Sequence, residues 1–168
     1  ETVVPRFEKG EIEGSEVNIK HYIGEMYFLR AKNYLSKLET FGDFPIIKNT
    51  LPDENEPLTQ ASKREPRHKV ARFILEDLDQ AIGLLTNNIS GGKNRITKNA
   101  ALLLKSRAAL FEASWLTYHR GTALVPGGSG WPGKAEDIAD FNIDTEIAFF
   151  LKEAKEATKE VIGNAALV

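Results

Sequence analysis

The stretch Gly24–Ile47, GEMYFLRAKNYLSKLETFGDFPII, decides how this chain folds. Aromatic and apolar residues recur through it at the spacing of a helix. The pattern predicts a helix from about Glu16 to Glu39, with Ser15 as its N-cap. Its polar face is narrow, consisting of Glu25, Lys32, Ser36 and Glu39, so the helix is expected to pack on more than one side. Gly42 and Pro45 stop it in a Phe-Gly-Asp-Phe-Pro turn.

Working outward, the next periodic stretch is Val70–Leu85, VARFILEDLDQAIGLL, within a helix from about Arg67 to Leu85. Pro66 suits its first turn. Val70, Phe73, Ile74, Leu78, Ala81, Ile82 and Leu85 make one apolar stripe. A third helix follows Thr97 and runs to about Tyr118, including TKNAALLLKSRAALFEASW over Thr97–Trp115. Only Lys105 and Glu112 mark a solvated stripe on it, which makes it the expected central helix. A fourth helix is expected from a cap at Asp144 to Gly163, burying Ile147, Phe150, Leu151, Ala154, Val161 and Ile162. Residues 1–14, 48–65 and 119–143 read as long loops, and Phe44–Ile47 and Thr122–Val125 are β-prone at most. Loops of that length in a compact domain tend to carry function or be disordered.

The three quoted stretches, in that order, resemble the SusD/RagB family over roughly Gly24 to Gly163. The resemblance implies an all-α fold of antiparallel helical hairpins of tetratricopeptide type, one spanning about 16–86 and the other about 97–163, elaborated by inserted loops. The whole of 1–168 is expected to form one helical domain. The implied function is non-catalytic: capture of a glycan or other nutrient at the cell surface and delivery of oligosaccharide to a SusC-like TonB-dependent transporter in the outer membrane. The family's members are surface-exposed lipoproteins. A start at Glu1 without methionine and a stop at Val168 lead us to expect a piece of a longer protein whose leader and lipid-carrying cysteine lie elsewhere. The segment that precedes the first long helix in the family, where several ligand contacts tend to lie, is represented here only by Glu1–Gly14. Besides nutrient binding, a tetratricopeptide-type protein–protein interaction module remains as the alternative. It lacks clamp lysines and asparagines at groove spacing, and the inserted loops would obstruct a regular groove.

The bulk numbers fit one core. The chain has 168 residues, 42% of them hydrophobic, a net charge of −2 and no cysteine. That charge leaves no electrostatic footprint for nucleic acid or an anionic membrane. Disulfides and thiolate metal sites are impossible. No apolar run reaches the roughly 18 residues of a bilayer-spanning helix.

Two arginines fall inside apolar arcs. Arg30 lies among Tyr22, Met26, Ile23 and Tyr34, and Asp77 lies within the stripe of the second helix. A buried charge needs a partner, so an Arg30–Asp77 structural ion pair across the first hairpin is expected, with Asp79 or Glu76 in reserve. Arg107 sits similarly beside Leu104 and Phe111. These arginines could instead contact a ligand.

Candidate chemistry is sparse. Gly128–Lys134, GSGWPGK, has the spacing of a phosphate-binding loop, but Ala135 stands where a hydroxyl should reach magnesium, and no buried strand precedes it. Asp140, Asn142 and Asp144 begin like a calcium loop, yet Thr145 and Leu151 occupy the positions of its glycine and bidentate glutamate. His21, His68 and His119 are scattered. No metal, cofactor or catalytic residue is expected. Trp131 differs, because an indole in a Gly/Pro loop has no helix face to pack into. Sugar rings stack their C–H faces on such rings, and the family resemblance implies aromatic loop residues that hold glycans. Trp131 is therefore the candidate substrate contact, the alternative being that it tucks over the end of the third helix near Tyr118. Trp115 reads as core.

Overall fold

The computed structural model describes residues 3–88 and 94–164. Four long helices carry the fold: α2 (Glu16–Phe41), α4 (Arg67–Leu84), α5 (Lys98–Tyr118) and α6 (Ile143–Asn164). Two short ones, α1 (Val3–Glu8) and α3 (Asn55–Ala61), lie in segments expected to be loops, and a 3-10 turn covers Ala135–Ile138. No strand forms among the described residues; Phe44 and Glu65 make a single antiparallel bridge.

Chain order and side-chain register show how the helices run. His21 meets Thr86, Arg30 meets Asp77, and Phe44 meets Glu65, so numbers rise on α2 as they fall on α4. Lys105 with Glu153 and Arg120 with Asp144 give the same reversal between α5 and α6. The fold is thus all-α, with antiparallel helical hairpins of tetratricopeptide type. α2 packs on α4, α4 on α5 and α5 on α6, in a row.

Local chemistry sets the helix ends. Gly42 takes φ 69° and returns its N–H to Leu38 O at 3.0 Å, which ends α2 in a conformation other residues resist. Ser15 does stand at the N-cap, but its side chain makes no capping bond. Thr97 caps α5 through Ala100 N at 3.2 Å. For α6 the cap is Asn142, whose Oδ1 accepts from Thr145 N at 3.0 Å. Asp144 lies instead inside the first turn.

The core runs through Leu35, Leu38, Val70, Ile74, Leu78, Ala109, Leu116 and Phe150, all buried. α4 contributes buried residues on both its sides, so it shares the inner position with α5. Buried alanines at 101, 108, 109 and 113 let α5 approach both neighbours.

Several expectations about faces are overturned. α2 is an edge helix: Tyr22, Met26 and Leu29 are about half exposed, at 51%, 55% and 55%. Glu25, expected on its solvated face, is instead held by Arg95 and accepts from Ile96 N at 3.1 Å. The Arg95 guanidinium keeps that carboxyl below the usual range. On α5, Lys105 and Glu112 are buried and Arg107 is exposed. Leu151 and Ile162 of α6 face outward. The cause is common to all of these. A wheel reports which residues share a face, whereas burial depends on what the neighbouring helix brings to it.

Candidate functional site

The Phe41–Pro45 corner, the start of α4 and the glycine-rich segment after α5 converge at one end of the inner helices. The segment folds through successive turns: Thr122 N donates to His119 O, Val125 N to Thr122 O, Gly128 N to Val125 O, and Trp131 N to Gly128 O, all at 3.0–3.2 Å. Val125 anchors it in the core. The last turn delivers Trp131 to the corner made by α2.

Asp43 receives it. The Trp131 Nε1–H donates to Asp43 Oδ2 at 2.8 Å, while Asp43 Oδ1 accepts from Arg67 N at 2.8 Å. One face of the indole's benzo ring lies over Gly133, where an added Cβ would come within 2.2 Å of the ring. The ring is half-buried. It does not tuck against Tyr118, which is 85% exposed.

Under this corner lies a buried pair that the sequence reading missed. Arg67 donates to Glu112 through Nε (3.0 and 3.2 Å) and Nη2 (2.8 Å). The Arg67 guanidinium also lies 4.3 Å from the Trp115 ring centroid. Full burial pushes the Glu112 carboxyl up from its ordinary pKa, against the pull of Arg67. Trp115 is only half-buried, and its Nε1 donates to Leu124 O at 3.1 Å. A hollow of about 200 Å³ opens here, walled by Phe41, Arg64, Trp115, Leu124 and Trp131 among others. It offers two indole rings, apolar walls and an arginine, a combination suited to a ring-shaped polar ligand.

A larger hollow of about 460 Å³ lies between α1 and α2, walled by Val3, Val4, Ile23, Met26, Tyr27 and Arg30 among others. Here Arg30 and Asp77 are joined by two bonds of 2.7 Å, Nε to Oδ2 and Nη2 to Oδ1. Asp79 turns to Lys105 and Glu76 to Lys48. Arg30's fork is therefore engaged within the scaffold, and its plane also faces Phe73 at 5.2 Å. Trp131 and the Arg30–Asp77 pair are separate: Trp131 meets Asp43 beyond the end of α2, whereas Arg30 lies midway along it.

Two further cations tie helices together. Lys105 lies between Asp79 and Glu153 at 2.7 and 2.6 Å. Burial works against its ammonium, but the two acids outweigh it and hold its pKa above the ordinary value. Arg72 makes a two-pronged contact to Glu146 and lies 3.8 Å over Phe149. Among the described residues, no group of three or more His, Asp or Glu could hold a metal ion. None of the described helices is long and apolar enough to cross a membrane.

The fold and this loop-topped corner define a helical binding scaffold, and comparison with known proteins places it. The SusD-like family described as starch-binding and associating with the outer membrane matches residues 6–110. The chain belongs to that family. A crystal structure of a SusD-like protein from Bacteroides fragilis is 30% identical, with a TM-score of 0.56, over 67% of this chain and 22% of its own. A SusD-like carbohydrate binding protein from the same organism is 20% identical with a TM-score of 0.51, over 61% of this chain and 20% of its own. A third solved structure covers 92% of this chain and 24% of its own, at 22% identity and a TM-score of 0.54. The last two likenesses are of fold. The chain thus spans about a quarter or less of the solved relatives it matches. No curated protein matches it.

Proposed function

We propose that this chain is the helical part of a non-catalytic glycan-binding protein, surface-exposed and lipid-anchored at the outer membrane, that delivers oligosaccharide to a SusC-like TonB-dependent transporter. The observation that carries the reading is the family match over residues 6–110, with its description as starch-binding and outer-membrane associated. On this reading Trp131 supplies a stacking face for a sugar ring, and the neighbouring hollow accommodates part of a glycan. Arg30–Asp77 serves the scaffold, because the Nε and Nη2 donors on one edge of the guanidinium are already spent on Asp77.

A second reading has its own support. Tyr22, Met26 and Leu29 form an exposed apolar stripe on α2, and a surface of that kind suits a protein partner. It would make this part of the protein a docking module rather than the sugar site.

A glycan-array screen followed by calorimetry on the intact protein separates the two, with Trp131→Ala alongside. Glycan binding that is lost in the variant supports the sugar site at this corner. Binding that survives moves the site elsewhere and leaves these helices as scaffold and docking surface. Absence of binding to any glycan overturns the carbohydrate reading.

A further inference from the structure

We propose that Asp43 is the positioning residue for the Trp131 ring, holding the indole so that it can present only a face and never its N–H. The inference deepens the reading of Trp131 as a ligand contact and rests on it.

The geometry is specific. Asp43 uses its two oxygens on two donors from distant parts of the chain: the first backbone N–H of α4, at Arg67, and the indole N–H of Trp131, each at 2.8 Å. Among the described residues no lysine or arginine side chain pairs with it. The Arg67 guanidinium, which could have done so, is committed to Glu112. The carboxylate is instead answered by two N–H donors and by the positive end of the α4 dipole. Pro66, which stands at the N-cap, has no side-chain acceptor to offer, so Asp43 supplies the cap from outside the helix.

The indole is fixed at its N–H and on one face. Its pyrrole N–H is bonded to Asp43, and one face of its benzo ring lies over Gly133, where any side chain would collide with it. What remains for a ligand is the opposite π face, which matches the apolar C–H face of a pyranose and makes no hydrogen bond to a hydroxyl. Hydroxyl recognition then falls to other groups on the hollow's wall, such as Arg64. A ring held in place before binding avoids the ordering cost that a mobile side chain would add.

Asp43→Asn separates the two bonds. Its amide keeps one oxygen, and the second position becomes an NH2 group facing a donor. The backbone N–H of Arg67 cannot turn away, whereas the indole can, so the cap is retained and the ring is released. Asparagine caps helices about as well as aspartate. The expected result is a melting temperature near that of the parent, with red-shifted Trp131 emission and greater quenching by acrylamide. Emission missing from Trp131→Phe identifies the Trp131 component, and Asp43→Asn on that background should change nothing further. Affinity for soluble starch, by calorimetry on the intact protein, should fall roughly tenfold.

Unchanged Trp131 emission and quenching in Asp43→Asn would overturn the proposal. So would a spectral shift with starch affinity intact in Asp43→Asn while Trp131→Ala abolishes it. Failure of the ligand reading itself looks different: Trp131→Ala binds starch as the parent does, whatever the spectrum of Asp43→Asn.

Discussion

Arg30 and Arg67 each lay the Nε/Nη2 edge of a guanidinium against a carboxylate on a neighbouring helix, but in different surroundings. Arg30–Asp77 closes the α2/α4 interface at its rim, where the arginine side chain is 31% exposed. Arg67–Glu112 closes the α4/α5 interface in the interior, at 2% and 0%. The rim arginine keeps part of its hydration whether or not its partner is present. The inner arginine has exchanged all of it for Glu112, the Trp115 ring and close packing. The shorter bonds are those at the rim, so length does not rank the consequences; the cost of breaking a pair is set mainly by the charge left behind.

The largest effect should come from the inner pair. Glu112→Ala strands Arg67 in the interior and is expected to cost about 3–5 kcal/mol by urea denaturation. The double variant Arg67→Met with Glu112→Leu should recover most of that, since no charge is then left buried. A Glu112→Ala loss no larger than that of a surface variant would break the comparison at its root.

The next effect tests the same interior through a proton. His68 follows Arg67, is 5% exposed, lies 4.6 Å from the Phe141 ring, and has a buried Nδ1 without a partner. Burial lowers its pKa from 6.5 to about 4, with Lys69 and Arg72 adding to the shift. As pH falls through 6.5 the unfolded chain takes up this proton, while the folded chain does not until about 4. The unfolded state binds more protons across that window, so stability is full above it and declines on acidification. The expected loss approaches about 3 kcal/mol. Denaturation at pH 7.5 and pH 4.5 measures it, and His68→Phe should flatten the dependence. An equal slope in His68→Phe would mean that the inner turn of α4 is wetter than its burial implies.

The two pairs also differ in how legible they were in the sequence. Arg30 and Asp77 stand out because each interrupts an apolar stripe on helices joined as neighbours, so a wheel and a demand for neutrality suffice to suggest a partner. Glu112 and Lys105 gave the opposite impression. Their spacing on a helix otherwise rich in alanine and leucine read as a water-facing stripe, and only α4 and α6 arriving from either side, with Arg67, Asp79 and Glu153, converts that stripe into a buried one. Helix existence followed from local periodicity; the charges inside the fold depended on contacts 26 to 48 residues apart, to which periodicity is blind. Asp43 lay in the turn recognised as a corner, but its bond to Trp131 spans 88 residues and leaves no local signature.

Removing Arg30 should have a smaller effect than either interior change. Arg30→Ala leaves Asp77, which is 4% exposed, without its fork, but water can reach the place the arginine vacates. A loss of about 1–2 kcal/mol is expected. A double-mutant cycle with Asp77→Ala should return a coupling below that of Arg67 with Glu112, and a coupling equal to it would show that water does not screen the rim.

Arg120–Asp144 gives the lower limit. Its 2.6 Å contact is shorter than those in either of the other pairs, yet the side chains are 47% and 77% exposed. The Arg120 guanidinium holds Asp144 below the usual carboxylate range, so the two groups do sense each other. Arg120→Ala should nevertheless leave the denaturation midpoint where it was. Asp144 stays hydrated without its partner and still sits in the first turn of α6, where a negative charge is favoured by the helix dipole alone. A midpoint drop matching that of Arg30→Ala would mean that contact distance, rather than the water displaced in making the contact, ranks these pairs.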